Sequence, residues 1–223
     1  MLYKKENEWN NYSTEEKKWA YEFSDYYKTF LDKSKTEREF VNNAIILAEK
    51  KGFKNIENIK KLNIGDKVYY LNRDKNLVLV VIGKEDIENG VKFIVSHVDS
   101  PRLDLKQNPL DEDLELAFFK TNYYGGIKKY QWVTIPLALH GIVILSNGEK
   151  KEICIGENED DPVFTIPDIL PHLSRKIQDD RKSREVIKGE ELRVLVGSIP
   201  TSINSNEIKE KAKYAVLEKL NNK

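Results

Sequence analysis

The chain has 223 residues and carries 37 Lys and Arg against 37 Asp and Glu, so its formal charge is zero. That balance excludes nucleic-acid binding through bulk positive charge. Apolar residues make up 39% and charged residues 33%, with 11 Tyr, 8 Phe and 3 Trp, a composition too aromatic for a disordered polymer and long enough for one large or two small domains.

The first 23 residues are charged and contain no apolar signal core, and the longest apolar run, Leu77 to Ile82, falls far short of a bilayer span. A soluble, unexported, cytoplasmic protein with no membrane partner is the expectation. Cys154 is the only cysteine, which rules out an intrachain disulfide, and its strand-like setting Lys151-Glu-Ile-Cys-Ile155 predicts a buried, unreactive thiol.

In chain order, residues 14 to 31 place Trp19, Phe23, Tyr26 and Phe30 on one helical face, which predicts an amphipathic helix with an aromatic stripe in the core. A second helix follows, with Ser34 and Glu37 as a capping-box pair ahead of Phe40, Val41, Ala44, Ile45 and Ala48, and Gly52 as its stop. From Lys67 the pattern turns to short apolar runs: Val68 to Leu71, Leu77 to Ile82 and Phe93 to Val95. The unbroken run Leu77 to Ile82 predicts a central strand covered on both faces, and helices on such a sheet predict an α/β fold.

Beyond Pro101 the spacing predicts a β-rich unit with strands at Leu114 to Lys120, Trp132 to Ile144, Glu152 to Ile155 and Leu192 to Val196. Asp111 to Glu115 reads as a solvent-facing acidic loop, and Gln178 to Glu191 as a solvated excursion. A last helix is expected from Asn204, capped by Glu207, carrying Ile208, Ala212, Ala215, Val216 and Leu220.

Three histidines exist. His97, in His97-Val-Asp99-Ser100-Pro101, is expected at the carboxyl end of a strand, where open α/β sheets bind ligands. A neutral imidazole there can ligate a metal with Asp99 fixing the ring, although the residues alone favour a strand-end histidine capped by a local aspartate. His140, between Leu139 and Gly141, reads as structural. Tyr124-Gly125-Gly126 reads as a tight turn, no phosphate-loop lysine follows it, and no Gly-x-Ser-x-Gly elbow is present.

The order of these elements, His97-Val-Asp99-Ser100-Pro101, then Tyr124-Gly125-Gly126 followed by Trp132, then Ile166-Pro167 leading to His172-Leu173, resembles the metallo-aminopeptidase family that includes aspartyl aminopeptidase and vacuolar aminopeptidase I. The resemblance runs over most of residues 15 to 223. It implies part of a metallopeptidase α/β catalytic domain (residues 1–105), an inserted β-rich dimerisation domain (106–200), and a helix (201–223) leading back toward the remainder of the catalytic domain.

The implied activity is removal of N-terminal residues from peptides by two zinc ions per complete site, with cobalt or manganese also suited to nitrogen and oxygen ligands. His97 would bind metal and Asp99 would support it. His172 would reach a neighbouring subunit's site and hold the substrate or the developing oxyanion, where residues alone suggest a loop histidine beside prolines. Homodimers building a larger assembly such as a dodecamer are implied as well.

Trp132 is followed by Val-Thr-Ile-Pro136, where many members carry Leu-Asp-Arg-Asp, so the aminopeptidase I branch is the nearer comparison and acidic specificity is not implied. Members are considerably longer, and their other ligands and catalytic glutamate lie beyond the insertion. The chain by itself is therefore expected to be inactive, and the competing function is a non-catalytic, half-length assembly or regulatory module.

Overall fold

The computed structural model describes residues 5–203 and 208–221. It divides into two compact units, one ending at Ser100 and the other beginning at Pro101. The α/β class expected from the sequence holds, with helices and three small sheets.

In the first unit, α1 (Thr14–Asp32) starts at a capping box between Ser13 and Glu16. Its aromatic stripe is not core. Trp19, Phe23 and Tyr26 are each more than half exposed, and instead of entering a core Trp19 stacks on Phe23 and Phe23 on Tyr27 along the helix surface. Phe30 alone of the four meets the next helix, edge-on to Phe40 at 5.1 Å between ring centres. An amphipathic period thus produced the helix, while burial needed a partner surface that these residues lack within the unit.

α2 (Glu37–Lys50) is capped by Thr36 and Glu39, not by Ser34 and Glu37. The Thr36 hydroxyl accepts the Glu39 N–H, the Glu39 carboxylate accepts the Thr36 N–H, and Ser34 instead receives the Asn43 side-chain amide. The stop is as expected. Gly52 adopts φ +86°, its N–H donates to the Glu49 carbonyl and the Phe53 N–H to the Ala48 carbonyl, the paired bonds of a Schellman motif.

β1 (Lys54–Asn55) runs parallel to β2 (Lys67–Asn72), which pairs antiparallel with β3 (Asn76–Val81). β2 is the middle strand, and it supplies the buried Val68 and Tyr69; α2 supplies the buried Val41 and Ala48. The apolar run expected at the centre of a sheet is β3, which lies at its edge with Val78, Leu79, Val80 and Val81 all exposed. Phe93 to Val95 forms no strand. These three side chains are between 81% and 101% exposed and have no ladder partner among the described residues, so propensity for a strand is present and a neighbouring edge is not.

The second unit is built on β4 (Arg102–Asp113), β5 (Leu116–Tyr124) and β8 (Val194–Gly197), in the order β4-β5-β8. Asp111 to Asp113 end β4 and are not a loop; the turn is Leu114 and Glu115, both at positive φ, the backbone of a two-residue hairpin connection. β6 (Leu139–Ile144) and β7 (Lys150–Ile155) form a separate hairpin. The strand expected from Trp132 is confined to β6, since Thr134 turns to positive φ and Pro136 has no N–H to give a ladder.

The core gathers Phe119, Val133, Ile155, Phe164, Ile166, Ile187, Leu192 and Val194. Each such side chain contributes about 1.5–3 kcal/mol relative to exposure. Ile187 lies inside the stretch expected to be solvated: the charged residues there form two 3-10 turns around one buried apolar anchor. The segment also begins beside a short helix, α3 (Pro171–Ile177). α4 (Lys211–Asn221) packs on this sheet through the fully buried Ala212. The capping pair expected at Asn204 and Glu207 lies outside the described residues.

Candidate functional site

His97 and Asp99 sit in an irregular segment of the first unit, with the imidazole largely exposed. This differs from the strand-end placement expected for His97, because the preceding Phe93 to Val95 has no strand partner. What holds the ring is local. His97 Nδ1 lies 2.9 Å from the Asp99 backbone carbonyl oxygen and 3.4 Å from the Asp99 carboxylate. A carbonyl can only accept, so Nδ1 carries the proton, and in the neutral ring Nε2 then keeps its lone pair. That tautomer is the one a metal ligand bonding through Nε2 requires, with a neighbouring oxygen fixing the ring as such ligands commonly have.

The second unit brings the next two motifs together. Arg102 pairs with Tyr124 across the β4–β5 ladder, and its guanidinium lies 4.1 Å from the Tyr124 ring centre. Gly125 follows at φ +79°, and a Cβ placed on it would meet Pro101 at 3.8 Å. The Tyr-Gly-Gly element is therefore a turn laid against the proline that ends His-x-Asp-Ser-Pro. Gly125 is needed for its φ rather than for space. Trp132 packs against the apolar core, and Ile166, 1% exposed, is one of that core's fixed points.

His172 is the second residue of α3 and is exposed. Nothing among the described residues hydrogen-bonds to its ring. His140 behaves differently: its Nε2 lies 2.8 Å from a Glu157 carboxylate oxygen and 3.9 Å from Cys154 Sγ, its β6–β7 cross-strand partner. The ring is only 12% exposed, in keeping with a structural histidine. Cys154, expected to be buried, is exposed.

Among the described residues, no group of three or more His, Cys, Asp or Glu side chains is arranged to hold a metal ion. Zinc sites use four ligands as a rule, at least three of them from protein. One imidazole nitrogen and one carboxylate do not fit a complete zinc centre. No helix of the described residues is long and apolar enough to cross a membrane.

A chain whose α/β fold carries His-x-Asp-Ser-Pro, then Tyr-Gly-Gly, then an exposed histidine further on has the motif order of the metallo-aminopeptidases. The comparisons with known proteins agree: the family described as aminopeptidase I zinc metalloprotease, M18, matches residues 30–223, and the chain belongs to that family. A probable M18 family aminopeptidase 1 of Borreliella afzelii is 54% identical over 220 residues, which is 99% of this chain and 47% of that protein. Crystal structures of an M18 aminopeptidase from Thermotoga maritima (42% identity, TM-score 0.89, covering 99% of this chain and 47% of that one) and of aminopeptidase I from Borrelia burgdorferi (46%, 0.83, 97% and 48%) share the fold. A dodecameric structure from S. cerevisiae shares the fold at 24% identity and a TM-score of 0.55. The chain spans about half the length of the relatives it matches.

Two features of the site escaped the sequence. The tautomer-setting carbonyl of Asp99 is a backbone atom with no residue signature. The tie between Asp168 and Gln178 that brackets His172 spans ten positions, a separation that no standard helix or turn motif marks.

Proposed function

We propose that this chain is the amino-terminal part of a zinc-dependent aminopeptidase that removes N-terminal residues from peptides. His97 would provide one metal ligand, Asp99 would hold its ring, and His172 would act on substrate bound to a neighbouring copy. The observation that carries the reading is the His97 ring, locked by Asp99 with Nε2 free, inside the family's His-x-Asp-Ser-Pro element. A zinc ion would supply Lewis acidity to the complete site, and the described residues of this chain give it too few ligands for turnover alone. On this reading residues 1–105 belong to the catalytic domain, 106–200 to an inserted dimerisation domain, and 201–223 to the return helix.

Self-association is part of the proposal. β6 and β7 form a two-stranded sheet whose outer edges pair with no other named strand, and Val143 and Ile144 on it are exposed, features that support pairing with a second copy. The proposal extends to a larger assembly of such dimers, of the kind of the dodecameric yeast structure that shares the fold, and to a cytoplasmic location. Two measurements test the function: calorimetric titration of the 223-residue chain with zinc, and assays on leucyl and aspartyl amides. Weak binding without turnover is expected. Tight binding of two metal ions with turnover would overturn the half-site reading.

A further inference from the structure

We propose that Asp168 and Gln178 are positioning residues that hold α3 as a presenting loop for His172. The proposal rests on the reading that His172 serves a neighbouring copy's site.

α3 has seven residues, none of them buried, and its N-cap Leu170 offers no side-chain cap. An isolated helix needs roughly 12–15 residues to be even marginal in water, so α3 requires an external tie. Pro171 presets the first turn, and the Ser174 hydroxyl donates to the Pro171 carbonyl at 3.2 Å, but both act within the helix. The tie across it is one carboxylate oxygen: Asp168 Oδ1 accepts the Ile169 N–H at 2.8 Å and the Gln178 side-chain amide at 3.0 Å. Gln178 is the C-cap, so the bond joins the segment entering α3 to the residue that ends it.

Both sides of this clasp are anchored. Upstream, the Thr134 N–H donates to the Ile166 carbonyl, the Leu137 N–H to the Phe164 carbonyl, and the Thr165 hydroxyl to the Ile135 carbonyl. Downstream, the Arg181 N–H donates to the Gln178 carbonyl, and its guanidinium to the Val186 carbonyl and the Glu191 carboxylate, next to buried Ile187. The excursion from Ile166 to Ile187 is thus pinned at its base, and the clasp closes its tip around His172. Fixing an acting group beforehand raises the fraction of encounters in productive geometry, and that gain appears in kcat.

Two experiments decide it. In the 223-residue chain, Gln178→Ala and Asp168→Ala should speed amide hydrogen exchange over residues 170–178 while leaving the unfolding midpoint of the second unit unchanged; Asp168→Asn keeps the accepting oxygen and should retain native protection. In the complete M18 assembly bearing this sequence, the two alanine variants should lower kcat roughly 3- to 10-fold at constant KM, the scale of one hydrogen bond. In a His172→Phe background they should cause no further loss. Equal losses in both backgrounds, or unaltered kcat where His172→Phe is impaired, would overturn the clasp alone. Full activity of His172→Phe would overturn the reading of His172 and the proposal with it.

Discussion

Gly197 of β8 lies directly beneath Val216 of α4: a Cβ on Gly197 would fall 2.7 Å from Val216 Cγ2 and 3.4 Å from the Ala117 Cβ. Val216 is β-branched and stiff at χ1, so it yields poorly. The close approach lets α4 seat Ala212, fully buried, on the sheet. Gly197→Ala is expected to cost about 1–3 kcal/mol by overpacking. Denaturant unfolding measures it, and adding Val216→Ala should recover part of the loss; a neutral Gly197→Ala would mean that α4 slides freely on β8.

The His172 reading makes its own demand. In the complete assembly, His172→Phe should keep fold and metal content while lowering kcat by roughly two to three orders of magnitude, the scale of removing a group that stabilises transition-state charge. Single-turnover kinetics on an aminoacyl amide would separate this from a binding defect.

Asp111 gives a pH dependence. A hydrogen bond from Lys120, 3.1 Å away, holds the Asp111 carboxyl below its ordinary value of 3.8 against the opposing effect of desolvation, with Lys120 and Arg193 adding charge attraction. A depressed folded-state pKa contributes stability that is present above the unfolded value and lost as the pH falls through the folded one. The group is about one-third exposed, so screening keeps the contribution small. Stability of the second unit should therefore fall below about pH 4 by less in Asp111→Asn than in the parent. Equal acid sensitivity of the two proteins would remove Asp111 from the account.

The helix caps separate two hydroxyls two positions apart, Ser34 and Thr36. Thr36→Ala should destabilise α2 by about 0.5–2 kcal/mol, since it strips a cap. Ser34→Ala should cost less, because Asn43 retains the Lys33 carbonyl at 2.7 Å as an acceptor. Thermal unfolding of the two variants side by side would reveal a reversed order.

A metal-centred outcome is tied to one ring. If Asp99 sets the tautomer, nitrogen NMR of the free chain should show His97 protonated at Nδ1 when neutral. An Nε2-protonated ring would break the link between this histidine and metal ligation through Nε2.

The sequence alone determined the local structure: the helical periods of α1 and α2, the Gly52 stop, and the β-rich character after Pro101 follow from spacing and from residues with few backbone options. It also determined the family, since His97-x-Asp-Ser-Pro, Tyr124-Gly-Gly and Ile166-Pro to His172 occur in fixed order. Tertiary structure decided what is buried. Trp19, Phe23 and Leu79 have core chemistry yet stand exposed, while Ile187 is buried in a run of charges, because burial depends on which surface lies opposite and no periodicity encodes that. The same holds for the site. His97 was legible as a residue, but its protonated nitrogen depends on a carbonyl two residues away, and the hold on His172 depends on a carboxylate and an amide that meet only after the chain has turned.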